Sequence, residues 1–66
     1  MDNYRAVGLA EGWIHTEDED EVIDAWQYLH DTKLAYKLQG WFGRTARNLL
    51  DSGVITDTNE QNHKNQ

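Results

Sequence analysis

Sixty-six residues make one small unit, too short for two domains and near the limit at which a single core holds without help. There is no cysteine, which excludes a disulfide framework, a thiolate nucleophile and any Cys-containing zinc site. The net charge of −6 is unevenly spread: nine acids face only Arg5 up to Asp31, Lys33, Lys37, Arg44 and Arg47 face only Asp51 from Thr32 to Ile55, and the rest is nearly neutral. Such a chain can pair its own halves or present one charged face to a partner.

No apolar run reaches the ~20 residues of a membrane span, and no secretory leader opens the chain, so the expectation is a cytoplasmic protein with no membrane partner. Apolar residues recur at three and four without a proline, which predicts an all-α fold, a small bundle of three or four short helices. Ala6, Leu9, Ala10 and Trp13 form one stripe of a first helix that stops near Gly12, although Gly8 inside it weakens the helix by ~1 kcal/mol.

Thr16 and Glu19 have capping-box spacing, predicting a second helix from about Glu17 to His30 whose stripe is Val22, Ile23, Trp26 and Leu29. The acids Glu17 to Glu21 then sit at the positive end of the helix dipole, and capping accounts for them better than a functional acidic patch does. A calcium loop fails because Val22 falls where a third oxygen ligand belongs.

Asp31 or Thr32 is expected to cap a short third helix with Leu34, Ala35 and Leu38 inward and Lys33 and Lys37 sharing an outer face. After a break at Gln39-Gly40, Trp41, Phe42, Ala46, Leu49 and Leu50 predict the last helix, stopped by Gly53 in the left-handed region. Val54 and Ile55 should fold back onto its final turn. Residues 1–55 thus make the domain, and the polar stretch from Thr56 to Gln66, with no aliphatic or aromatic side chain, is expected to be a disordered tail whose removal costs nothing.

Enzyme signatures do not assemble, and neither a catalytic residue nor a cofactor is expected. His15-Thr16-Glu17 has the H-x-E spacing of zinc deaminases without the cysteines that chemistry requires, and His15, His30 and His63 are too scattered for a metal site. Ser52, the only serine, belongs to a helix end. Gly40-Trp41-Phe42-Gly43-Arg44 lacks the Lys-Ser/Thr of a phosphate-binding loop, so its glycines read as close helix approach, with the tryptophans as core.

One constellation remains. Arg44, Arg47 and Asn48 lie at i, i+3 and i+4 on the last helix, with Lys33 and Lys37 upstream, the arrangement of a helix-turn-helix whose second helix reads DNA. Plain helical packing with exposed arginines explains the same residues, and the net acidic charge repels phosphate. These five are the candidate partner-binding residues.

The run Glu21-Val22-Ile23-Asp24-Ala25-Trp26-Gln27-Tyr28-Leu29-His30-Asp31-Thr32, continued by Leu38-Gln39-Gly40-Trp41-Phe42-Gly43-Arg44-Thr45-Ala46, Leu49-Leu50 and Gly53-Val54-Ile55, resembles a family of short uncharacterised bacteriophage proteins, many from aquatic hosts. The resemblance covers about half the chain. It implies a setting and no activity: small acidic phage proteins often bind and redirect a host protein. Lys33 stands where glycine is common in these relatives, which argues against a tight turn there. The leading expectation is a non-enzymatic module that binds and modulates a host protein, with a homodimer as a further possibility. A small helix-turn-helix nucleic-acid binder is the alternative, and an acidic DNA mimic ranks below both because the acids concentrate at one helix start.

Overall fold

The computed structural model describes residues 1–57. Three α-helices and one single-turn 3-10 helix make up its regular structure: α1 (Asn3–Glu11), α2 (Glu19–Asp31), the 3-10 turn (Leu34–Tyr36) and α3 (Gly40–Ser52). None of the helices is long and apolar enough to cross a membrane. The helix α1 lies along α2, and the 3-10 turn packs against both α2 and α3, bridging two helices that touch directly at only a few points.

The Asp2 carboxylate caps α1 by accepting from the Arg5 backbone N–H at 2.8 Å, and Gly12 closes it in the left-handed conformation at φ 89°. Gly8 has a reason to be in this helix. The Gly8 carbonyl accepts from the N–H groups of Gly12 and Ile14, and a Cβ at position 8 would run into the Ile14 side chain folded over it. That fold-back turns Trp13 away from the core stripe predicted for it. Trp13 is 51% exposed, and its ring instead meets Tyr4 edge-on at 5.0 Å.

The cap of α2 also differs from expectation. Asp18, not Thr16, is the N-cap, its carboxylate accepting from the Asp20 N–H at 2.9 Å. Thr16 stands two residues outside: its hydroxyl accepts from the Asp18 N–H and donates to the Glu21 carboxylate, which also pairs with Arg5 of α1. The acids of the first turn, Glu19, Asp20 and Glu21, complement the dipole as predicted.

These contacts hold the Glu21 carboxyl below its usual 4.5, through the Thr16 hydroxyl first and the Arg5 guanidinium second. A depressed folded-state value gives stability that is present above 4.5 and lost as pH falls through the lower, folded value. Glu21→Gln should therefore melt below wild type at neutral pH, and the difference between the two melting points should shrink as pH falls below 4.5. Equal melting points across the range would show that the contact contributes nothing.

The third predicted helix is a single 3-10 turn. Lys33 precedes it at φ 67°, the only non-glycine residue at positive φ among those described, so the tight turn that lysine argued against is present. Thr32 stabilises this exit, its hydroxyl donating to the Tyr28 carbonyl at 2.9 Å. Because the turn is so short, it buries only Ala35, and Leu38, expected inward, is 36% exposed.

In α3 the predicted register holds: Phe42 and Ala46 are buried, with Trp41, Leu49 and Leu50 half-buried around them. Gly53 at φ 83° ends the helix, and the Val54 N–H donates to the Leu49 carbonyl at 2.9 Å. Of the two residues beyond, only Ile55 enters the core, at 2% exposed; Val54 is 44% exposed. The core is Ala6 and Leu9 of α1, Ala25, Trp26 and Leu29 of α2, Ala35 of the turn, Phe42 and Ala46 of α3, and Ile55. An aromatic cluster joins α2 to α3, with Trp41 and Phe42 stacked at 4.1 Å and Trp26 about 6 Å from each.

The domain does not end at Ile55. Thr56 is clamped by one side chain of α2: its N–H donates to Gln27 Oε1 at 2.9 Å and its carbonyl accepts from Gln27 Nε2 at 2.7 Å. Asp57 follows onto His30. The first two residues of the expected disordered tail are therefore docked through backbone groups and charge, which an apolar-content argument does not weigh; positions 58–66 lie outside the described residues. Deleting residues 56–66 should lower stability by roughly 1–2 kcal/mol, the worth of two partly exposed hydrogen bonds, and Gln27→Ala should reproduce most of that loss in urea melts. Unchanged midpoints in both variants would mean the clamp is idle.

Candidate partner-binding site

The outward side of α3 and the 3-10 turn enclose a shallow, open depression of about 380 Å³ lined by Tyr36, Gly43, Arg44, Arg47 and Asn48. Arg44, Arg47 and Asn48 reach it because helical spacing stacks i, i+3 and i+4 on one face, opposite the buried Phe42 and Ala46. Gly43 lies with them in the lining. A Cβ there would lie 3.5 Å from the Tyr36 ring, an ordinary contact, so this glycine allows close approach without demanding it. Lys33 and Lys37 bracket the 3-10 turn and are exposed, but they do not line the depression. Three of the five residues predicted from sequence are thus brought together and two stand apart.

Tyr36, which sequence reasoning did not single out, forms the wall. Its ring is held by His30, buried at 5% exposure in the last turn of α2, whose Nδ1 lies 2.6 Å from the Tyr36 hydroxyl. Burial raises the phenol above its ordinary 10, Arg47 pulls it down and Asp57 pushes it up again, so the hydroxyl keeps its proton at neutral pH. The other ring nitrogen, Nε2, faces the Asp57 carboxylate at 3.5 Å, an acceptor that favours the neutral tautomer with its proton on Nε2, to whose Nδ1 the Tyr36 hydroxyl donates. The chain Tyr36, His30, Asp57 ties the 3-10 turn, α2 and the segment after α3 to one another. A sequence signal for it existed: His30 falls four residues after Trp26 on the buried stripe of α2, where a polar residue needs partners.

Among the described residues no ion pair joins the acidic first half to the basic second half. Among the described residues, Arg5 with Glu21 is the ion pair that joins a fixed cation to an acid, and Lys33, Lys37, Arg44 and Arg47 have no carboxylate within 4 Å. Asp20 and Asp24, exposed on α2, have no cation within that distance among the described residues either. What the depression offers chemically is two guanidinium groups, a carboxamide and an aromatic ring edge, all solvated and able to meet carboxylate or phosphate oxygens.

The helix-turn-helix expectation meets a different geometry here. Its leading helix is the three-residue 3-10 turn, too short to lie across a DNA backbone as the first helix of that motif does.

No curated protein and no solved structure matches the chain. A family model described as a domain of unknown function (DUF7417) matches residues 11–64, from the end of α1 through α2, the 3-10 turn and α3, and the chain belongs to that family.

Proposed function

We propose that the chain is a small acidic, phage-type protein-binding module that acts without catalysis, in the host cytoplasm, by occupying an acidic surface of a host protein. The observation that carries this reading is the depression on α3, where Arg44, Arg47 and Asn48 stand exposed beside Tyr36 and neither arginine has a carboxylate within 4 Å among the described residues. Arginine and tyrosine are, with tryptophan, enriched at the energetic centres of protein interfaces. Lys33 and Lys37, exposed at the two ends of the 3-10 turn, add charge of the same sign outside the depression and steer an acidic partner in.

The alternative, a nucleic-acid binder, draws on the same exposed arginines, and the test separates the two. Host proteins captured on wild type and on an Arg44→Glu, Arg47→Glu variant are compared, and duplex DNA is titrated into wild type at ~50 mM salt, where counterion release favours binding most. The proposal expects a host protein held by wild type and lost by the variant, with no duplex binding. Duplex binding that is salt-sensitive and lost on Arg44→Ala with Arg47→Ala would replace it with the nucleic-acid reading.

A further inference from the structure

Two large aromatic side chains stand outside the core, and they stand together. Tyr4 is 71% exposed and Trp13 is 51% exposed, with ring centroids 5.0 Å apart and planes inclined at 65°. Local sequence explains the meeting. Tyr4, Gly8 and Glu11 lie at i, i+4 and i+7 on one face of α1, and the chain folds back past Gly12 so that the indole returns along that face. A Cβ at Gly8 would lie 3.0 Å from the indole, so the glycine lets the ring lie close against the helix. The Trp13 Nε1–H donates to Glu11 Oε1 at 3.0 Å. Tyr4, Gly8 and Glu11 thus hold the indole in place while half of it stays exposed.

An aromatic face attracts a cation through its quadrupole when the charge lies within about 6 Å of the ring centroid. With the two centroids 5.0 Å apart, one cation can meet that condition for both rings. Glu11 adds a full negative charge at the indole edge, and among the described residues its Oε2 has no hydrogen-bond donor and neither oxygen has a cation within 4 Å. The charge along this part of the chain has the same sign: nine acids face only Arg5 up to Asp31, and Arg5 is already paired with Glu21. A quaternary ammonium would use the rings alone, whereas a guanidinium can lie flat on a ring and still donate an N–H to the carboxylate. We propose that Tyr4, Trp13 and Glu11 form a binding site for an arginine side chain displayed by a basic protein partner. The site shares no residue with the α3 depression and does not rest on the function proposed above.

A peptide with neutral ends and one central arginine between alanines tests it, titrated into isotope-labelled protein at about 50 mM salt, where exposed charges are weakly screened. In nuclear magnetic resonance spectra the Trp13 indole N–H and the backbone amides of Tyr4 and Glu11 should shift together and saturate. The amides of Asp20 and Asp24, the exposed acids of α2, should move far less. The same peptide with citrulline keeps the planar group and its N–H donors without the charge, and it should bind about two- to fivefold more weakly, the range of a cation–π contact at an exposed site. Glu11→Gln, which keeps an acceptor for the indole N–H, should weaken the arginine peptide by a similar factor. So should Tyr4→Leu and Trp13→Leu, which keep apolar bulk and lose the aromatic face. Circular dichroism confirms that each variant is folded, and Tyr4→Leu with Glu11→Gln carries the test if Trp13→Leu unfolds the end of α1.

Equal binding of the citrulline peptide overturns the inference. So do shifts at Asp20 and Asp24 as large as those at Trp13, and so does undiminished binding by the leucine variants. Tetramethylammonium chloride that binds more tightly than the arginine peptide would overturn it in favour of a quaternary ammonium, and a Trp13 indole resonance that moves with protein concentration alone would put a second copy on the rings instead.

Discussion

Ala46→Asp is expected to unfold the protein. Ala46 is 0% exposed, in the middle of α3 and among Phe42, Trp26 and the other core side chains. A carboxylate there would either remain ionised without a partner or be forced neutral, at a cost of several kcal/mol. Domains as small as this one have about that much stability in total. Far-ultraviolet circular dichroism and a thermal melt read the outcome. A mutant that keeps wild-type helicity and melting point would mean that Ala46 faces water and that the register of α3 is misplaced. Thr45→Asp, one position round the helix and only half-buried, makes the comparison: it should retain the fold.

Ile55→Ala should be nearly as damaging, although Ile55 lies outside every helix. It is 2% exposed and, with Leu29, one of the two largest side chains to be fully buried. Loss of a buried isoleucine to alanine costs about 2–5 kcal/mol when the cavity does not collapse. In a domain of this size each kilocalorie is worth roughly 4–8 °C of melting temperature, so a fall of at least ~8 °C is expected. Val54→Ala is the control. Val54 is 44% exposed, and its change should stay within about 0.5 kcal/mol. Similar losses at both positions would show that the segment after Gly53 is held by its backbone and not by one anchoring side chain.

The elements legible in the sequence were those set by local chemistry. The ends of α1 and α3 at Gly12 and Gly53 followed from the preference of glycine for positive φ, and the register of α3 from the spacing of Phe42, Ala46, Leu49 and Leu50. The face carrying Arg44, Arg47 and Asn48 was legible for the same reason, since a buried stripe dictates which residues lie opposite. Capping chemistry was less decisive at α2. Thr16 and Asp18 both offer an oxygen, and the pull of Arg5 and Glu21 across the α1–α2 contact leaves Asp18 as the cap.

By itself, then, the sequence determined an all-α fold, two glycine stops, the acidic start of α2 and the basic outer face of α3, because each depends on residues within a turn or two of one another. Tertiary structure decided the rest. Trp13 left the core because Ile14 folds over Gly8, and Lys33 took a left-handed conformation because the chain must turn sharply to set Ala35 between α2 and α3. Thr56 and Asp57 were drawn onto Gln27 and His30, and Tyr36 became a wall of the depression through its hydroxyl on His30. These outcomes join groups up to 29 positions apart, and no local periodicity or propensity carries the energy of such contacts.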